Sequence, residues 1–118
     1  TIMIGIDIMR IKEITNERIT FDNGNYITFD HDRDCCEWNY ADFKYLEDEC
    51  GVMSFDFPED LEFEVVDGSG FRFGGARKFF VPCYSDQNGY YSSDIDIYYY
   101  TENGENLYTS NFNCEMQW

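Results

Sequence analysis

Seven consecutive residues, His31-Asp32-Arg33-Asp34-Cys35-Cys36-Glu37, hold the only histidine of the chain, two of its five cysteines and three carboxylates. Thiolate and imidazole are the donors zinc prefers, and a structural zinc takes four ligands in a tetrahedron. In an extended strand His31, Arg33, Cys35 and Glu37 point one way, while Asp32, Asp34 and Cys36 point the other. A regular strand would let His31 and Cys35 share a metal, and a bulge or turn would bring in Cys36. Asp34 or Glu37, or a thiol from Cys50, Cys83 or Cys114, would complete the set. The candidate ligands are thus His31, Asp34, Cys35 and Cys36, for a structural Zn2+. No CxxC pair accompanies them, so finger or knuckle spacing is absent. The same residues also read as small buried hydrophobes beside a histidine at a strand end. A vicinal disulfide is a third reading. A Cys–His nucleophilic pair is a fourth, although nothing marks an oxyanion hole or an orienting third residue.

Charge bears on the choice. The 118 residues carry 24 Asp plus Glu against 8 Lys plus Arg, a formal charge of −16. Such a chain repels itself on compaction, and a dication held by thiolates and carboxylates would relieve part of that. The same charge excludes a nucleic-acid binder that works by phosphate neutralisation and disfavours an anionic membrane surface. Disorder is not expected, because acidic disordered chains are poor in aromatics and this one has 11 Phe, 10 Tyr and 2 Trp. The start, Thr1 to Asp7, lacks a basic region and a cleavage site, so it does not read as a signal peptide. An odd number of cysteines without an export signal favours reduced thiols and an intracellular setting.

Strands must position these groups. Ile19 to Asp22 and Asn25 to Asp30 flank Asn23-Gly24, a hairpin signal that suits a tight type I′ turn. Alternation puts Ile19, Phe21, Ile27 and Phe29 on one face. Met9 to Ile14, Leu61 to Val66 and Lys78 to Tyr84 also read as strands, with Pro82 marking an edge or a bulge. Ala41 to Glu49 is the best helix candidate, with Gly51 to end it. A long hairpin pattern follows: Asp86 to Gly89 turns into Tyr90 to Tyr100, and Asn103-Gly104 turns again into Leu107-Tyr108. The expectation is one α+β domain spanning 1–118, mostly antiparallel β-sheet with hairpins and one short helix.

In the long strand, period 2 assigns Tyr91, Ile95, Ile97 and Tyr99 to the core. The opposite face shows Tyr90, Ser92, Asp94, Asp96, Tyr98 and Tyr100. From Phe79 to Trp118 there is no Lys or Arg, while eleven aromatics and six carboxylates are present. Rings stack on guanidinium groups and carboxylates pair with them, so Asp94, Asp96, Tyr98 and Tyr100 form a candidate interface for a basic protein. Glu47, Asp48 and Glu49, continued by Asp56, Glu59, Asp60, Glu62 and Glu64, are a second acidic patch that reads either as an interface or as a solvated surface.

His31-Asp32-Arg33-Asp34-Cys35-Cys36-Glu37 with Asn88-Gly89-Tyr90-Tyr91-Ser92 resembles the H-x-x-D-C-C-E and N-G-Y-Y-S pair of an uncharacterised family of small phage and bacterial proteins. The likeness runs from Ile11 to Tyr100, except for Gly51 to Arg77, which departs from the pattern. It implies a fold and a site more than an activity. In size and charge the chain also resembles type II anti-CRISPR proteins, as a class and not by motif. That likeness implies a monomeric, non-enzymatic inhibitor in the host bacterial cytoplasm, binding a Cas9-type nuclease in the positive channel that otherwise holds nucleic acid. The rivals are an acidic metal-binding interaction module and a small metallohydrolase. A calcium loop over Asp30 to Ala41 is disfavoured, since Cys35 and Ala41 occupy the positions that need Gly and Glu.

Overall fold

The structure, a computed structural model, describes residues 8–30, 38–49, 51–86 and 93–117. Period-2 burial dominates it. On the strand Asp94–Tyr100, Ile95, Ile97 and Tyr99 are buried and the alternate residues are half-exposed. This is the alternation of a sheet with one covered face.

The described residues form twelve strands: β1 (Ile8–Met9), β2 (Ile11–Ile14), β3 (Arg18–Phe21), β4 (Tyr26–Asp30), β5 (Trp38–Ala41), β6 (Phe57–Pro58), β7 (Glu62–Val66), β8 (Gly70–Gly74), β9 (Lys78–Asp86), β10 (Asp94–Tyr100), β11 (Asn106–Asn113) and β12 (Glu115–Gln117). The first sheet has the order β11-β10-β4-β3-β2, antiparallel throughout. The second has the order β12-β9-β8-β7, with β5 also on β9, and only its β12–β9 pair is parallel. β1 and β6 make a small ribbon. The architecture is the expected one, mostly antiparallel sheet with a short helix.

Aromatic rings join the inner faces. Phe63 of β7 stacks on Tyr108 of β11 with centroids 4.1 Å apart, and Phe71 of β8 meets Phe112 of β11 at 6.2 Å. Phe57 is fully buried among Phe21, Phe55, Phe73 and Phe79, at 4.8–5.6 Å. Truncating such a ring to Ala costs about 3–5 kcal/mol. A buried polar bridge crosses the same core. The Tyr99 hydroxyl donates to the Glu59 carbonyl at 2.6 Å and accepts from the Asn25 amide at 3.0 Å. Burial pushes the Tyr99 phenol up to about 12, helped by Glu59 and Asp60 and opposed by the Asn25 bond.

Four local expectations are corrected. The 41–49 helix is a 3-10 segment, Phe43–Asp48, closed by an Glu49 N–H to Leu46 carbonyl bond. No side chain caps its start, and Glu47-Asp48-Glu49 sets negative charge against the negative end of a helix dipole. The β3–β4 turn is not type I′. Gly24 alone takes positive φ (+91°), its N–H donates to the Phe21 carbonyl, and the Phe21 N–H donates to the Asn25 carbonyl. This is the three-residue turn with a glycine bulge. A Cβ on Gly24 would stand 2.7 Å from Glu102 Cγ, so close packing also fixes this residue. Met9 to Ile14 breaks at Arg10, whose N–H bonds the Asp22 carboxylate. Finally, β9 and β10 are not hairpin partners. β10 pairs β4 and β11 in the first sheet, and β9 belongs to the second. Pro82 sits where the β8 ladder ends and the β5 ladder begins, at Cys83.

Candidate functional site

The outer face of the first sheet carries the residues that alternation excludes from the core. β10 contributes Asp94, Asp96, Tyr98 and Tyr100. Register sets Asp96 beside Asp30 of β4, Tyr98 beside Thr28 and Tyr100 beside Tyr26. On the other side Asp94, Asp96 and Tyr98 lie opposite Asn113, Asn111 and Thr109 of β11. The face therefore has an aromatic end and an acidic end.

At the aromatic end the rings form a continuous row. Tyr98 stacks on Tyr100 with centroids 5.6 Å apart and planes 21° apart, and Tyr100 meets Tyr26 at 5.4 Å. The guanidinium carbon of Arg18 stands 4.2 Å from the centroid of Tyr26. The chain thus caps its own tyrosine row with an arginine, at a distance where the ring quadrupole attracts a cation.

At the acidic end, a single neutral amide gathers two carboxylates. Asn111 Nδ2 donates to Asp94 Oδ2 and to Asp96 Oδ1, each at 2.9 Å. The backbone beneath is fixed from the second sheet. Buried Asn39 of β5 donates from Nδ2 to the Asp94 carbonyl at 2.9 Å, and buried Ser85 of β9 donates to Asn39 Oδ1. Asp94 is therefore anchored at its main chain while its carboxylate faces outward.

A cleft of about 640 Å³ borders this face, and Thr28 and Asp30 belong to both. Glu17, Tyr40 and Asp42 also line it. The Tyr40 phenol is pushed up by burial and by the charges of Asp42 and Asp86, so it stays a hydrogen-bond donor. Thr28 spends its hydroxyl on the Glu17 carbonyl at 2.9 Å, which ties the β2–β3 turn to the cleft wall.

Comparison of the chain with protein-family models, with curated proteins and with solved structures returns no match. The site must be read from its own chemistry.

The second acidic patch meets the chain's own cations. Glu47 pairs with Lys44 at 3.1 Å, Asp56 with Arg10 at 2.7 Å, Glu62 with Lys78 at 3.9 Å, and Glu64 with Arg72. Asp48 is exposed and Glu49 half-buried beside them.

His31, Asp34, Cys35 and Cys36 lie outside the described residues, as do Cys50 and the Asn88 to Ser92 motif. Among the described residues no three His, Cys, Asp or Glu side chains gather to hold a metal ion. Cys83 and Cys114, considered as distant donors, are both buried where β12 runs beside β9. A hydrogen bond with Cys114 and burial push the Cys83 thiol up, so it resists becoming the thiolate that metals need. Among the described residues no helix is long and apolar enough to cross a membrane.

Sequence reasoning missed Tyr26, Arg18, Asn111 and Asn39. Alternation around Ile27 and Phe29 already points Tyr26 outward. Its place beside Tyr100 depends on the β4–β10 pairing, which joins segments some seventy residues apart in sequence.

Proposed function

We propose that this protein is a non-catalytic binding module whose outer β10 face engages a basic protein surface. The observation that carries this reading is the tyrosine row capped by Arg18 and continued by Asp94 and Asp96. Stacked phenols beside carboxylates are the surroundings that guanidinium groups prefer. Arg18 on Tyr26 is an internal example of that recognition.

The most concrete form of the proposal is a phage-encoded inhibitor acting in the host bacterial cytoplasm. It would bind a Cas9-type nuclease and compete with nucleic acid for a positive channel. A charge of −16 would steer it there, with fast and salt-sensitive association. A structural zinc held by His31, Asp34, Cys35 and Cys36 belongs to the same proposal as a stabiliser and not as a reagent. The alternative partner is another basic protein, bound through the same face.

The test is competition. Purified protein added to a Cas9-type nuclease should prevent DNA loading, and Asp94→Lys with Asp96→Lys should restore it. Inhibition that survives this reversal moves the interface elsewhere, and no binding to the nuclease removes that partner. Elemental analysis of protein kept from chelators should find about one zinc per chain. No zinc, or unchanged zinc in His31→Ala and Cys35→Ser, ends the metal assignment.

A further inference from the structure

The two long margins of the first sheet are built differently. β2 is four residues long, carries Lys12 and Glu13, and shifts register between Ile11 and Glu13. Short length, charge and a bulge are the usual protections of an exposed strand edge. β11 shifts register once, at Leu107 near its start, and is regular from Tyr108 to Asn113. Its eight residues, Asn-Leu-Tyr-Thr-Ser-Asn-Phe-Asn, contain no charge and no proline, in a chain with 24 carboxylates.

The backbone of β11 offers hydrogen bonds outward. Asn113 turns its N–H to the Asp67 carboxylate at 2.9 Å and its carbonyl to the Gly68 N–H at 2.8 Å, away from β10. Main-chain groups alternate sides along an antiparallel pair. Asn111 and Thr109 therefore turn their N–H and carbonyl groups the same way as Asn113. Among the described residues no strand pairs with that side. The Asp67-Gly68 turn covers only its Asn113 end, and Leu107 is 46% exposed at the other.

We infer that β11 is an augmentation edge, on which an extended basic segment of the partner adds as a sixth strand of the first sheet. This inference rests on the proposed binding of a basic protein. Charge selects the occupant. A second copy would bring another −16 to the same edge. A basic strand instead meets the Asp94–Asp96 pair, which Asn111 reaches from β11 itself. An added strand lies about 5 Å beyond β11 and roughly 10 Å from β10. Its outward arginines, at every second position, extend across Thr109 and Asn111 toward Asp96 and Asp94. Main-chain bonds then supply affinity and alternate side chains supply selectivity.

The probe is a short acetylated peptide alternating arginine and valine, compared with the same peptide N-methylated on the amides that would face β11. Binding by the full chain is read by fluorescence anisotropy at low salt, and amide hydrogen exchange is read with and without peptide. The expected result is at least tenfold weaker binding on N-methylation and with Thr109→Pro, with slowed exchange at Thr109 and Asn111 in the wild-type complex. Equal binding of both peptides, lost only in Asp94→Lys with Asp96→Lys, overturns augmentation and leaves the acidic face as the site. Peptide binding that ignores that reversal overturns the proposed function itself. A dimer in sedimentation of the protein alone, with Thr109 and Asn111 already protected, assigns the edge to a second copy and overturns the inference.

Discussion

Two acidic regions of this molecule place their carboxylates in different company. In the patch around Glu47, Asp56, Glu62 and Glu64, these four carboxylates face Lys44, Arg10, Lys78 and Arg72 and are matched within the chain. On β10, Asp94 and Asp96 share the neutral amide of Asn111, beside stacked tyrosines. That amide orients both carboxylates without adding a charge of its own. Counting acids along a chain therefore overstates the first region as an interface and misses what distinguishes the second.

The comparison breaks most sharply by charge reversal. Asp94→Lys with Asp96→Lys should weaken binding to a basic partner by on the order of 30–4,000-fold, the range for removing a desolvated charge partner. Glu47→Lys with Asp48→Lys should change it by less than about threefold, as rim charges do, and mainly in the association rate. Titration calorimetry of both double variants against the same partner decides the matter. Equal losses would merge the two regions into one non-specific field.

The next largest effect lies beneath the acidic row. Asn39→Ala strips the Asp94 carbonyl and the Ser85 hydroxyl of a buried partner, and should cost about 1–3 kcal/mol in denaturant unfolding. Beneath the second patch the buried bridge runs from the Asn25 amide through the Tyr99 hydroxyl to the Glu59 carbonyl. Tyr99→Phe should cost a similar amount by orphaning the Asn25 amide and the Glu59 carbonyl. It also tests a pH effect. The Tyr99 phenol is harder to ionise folded than unfolded, so its contribution is complete below the ordinary value near 10. It is lost as pH rises toward about 12. Unfolding curves at pH 9 to 12 should flatten in Tyr99→Phe relative to wild type, and an unchanged slope would remove Tyr99 as the cause.

How much of this was legible in the sequence follows from range. Alternation on β10 told Ile95, Ile97 and Tyr99 from Asp94, Asp96, Tyr98 and Tyr100, because side-chain direction in a strand is a local property. Asn23-Gly24 and Asn103-Gly104 located two turns for the same reason. Sheet membership is not local. Nothing near Asp86 says that the chain leaves one sheet and enters another at β10, so the expected β9–β10 hairpin failed. The tyrosine row of Tyr98, Tyr100 and Tyr26 was half visible for the same reason, since Tyr26 reaches it only through β4–β10 pairing. The 3-10 form of Phe43–Asp48 was legible in principle. Three acids at the end of a short uncapped segment already argue against a regular α-helix.

The smallest expected effect tests the matched region alone. Glu64 and Arg72 face each other across the β7–β8 pair, with both side chains about half exposed. Water screens such a pair, so Glu64→Gln should cost no more than about 1 kcal/mol in stability. It should also leave partner binding within error, because the carboxylate removed was already neutralised by Arg72. The informative variant is Arg72→Gln. It frees the Glu64 carboxylate without touching β10, at a similarly small stability cost. If matching by internal cations is what silences this region, Arg72→Gln should let it attract a basic partner weakly, seen as a faster association rate that vanishes at high salt. An unchanged rate at low salt would mean that the difference between the regions lies in the tyrosine row and not in ion pairing.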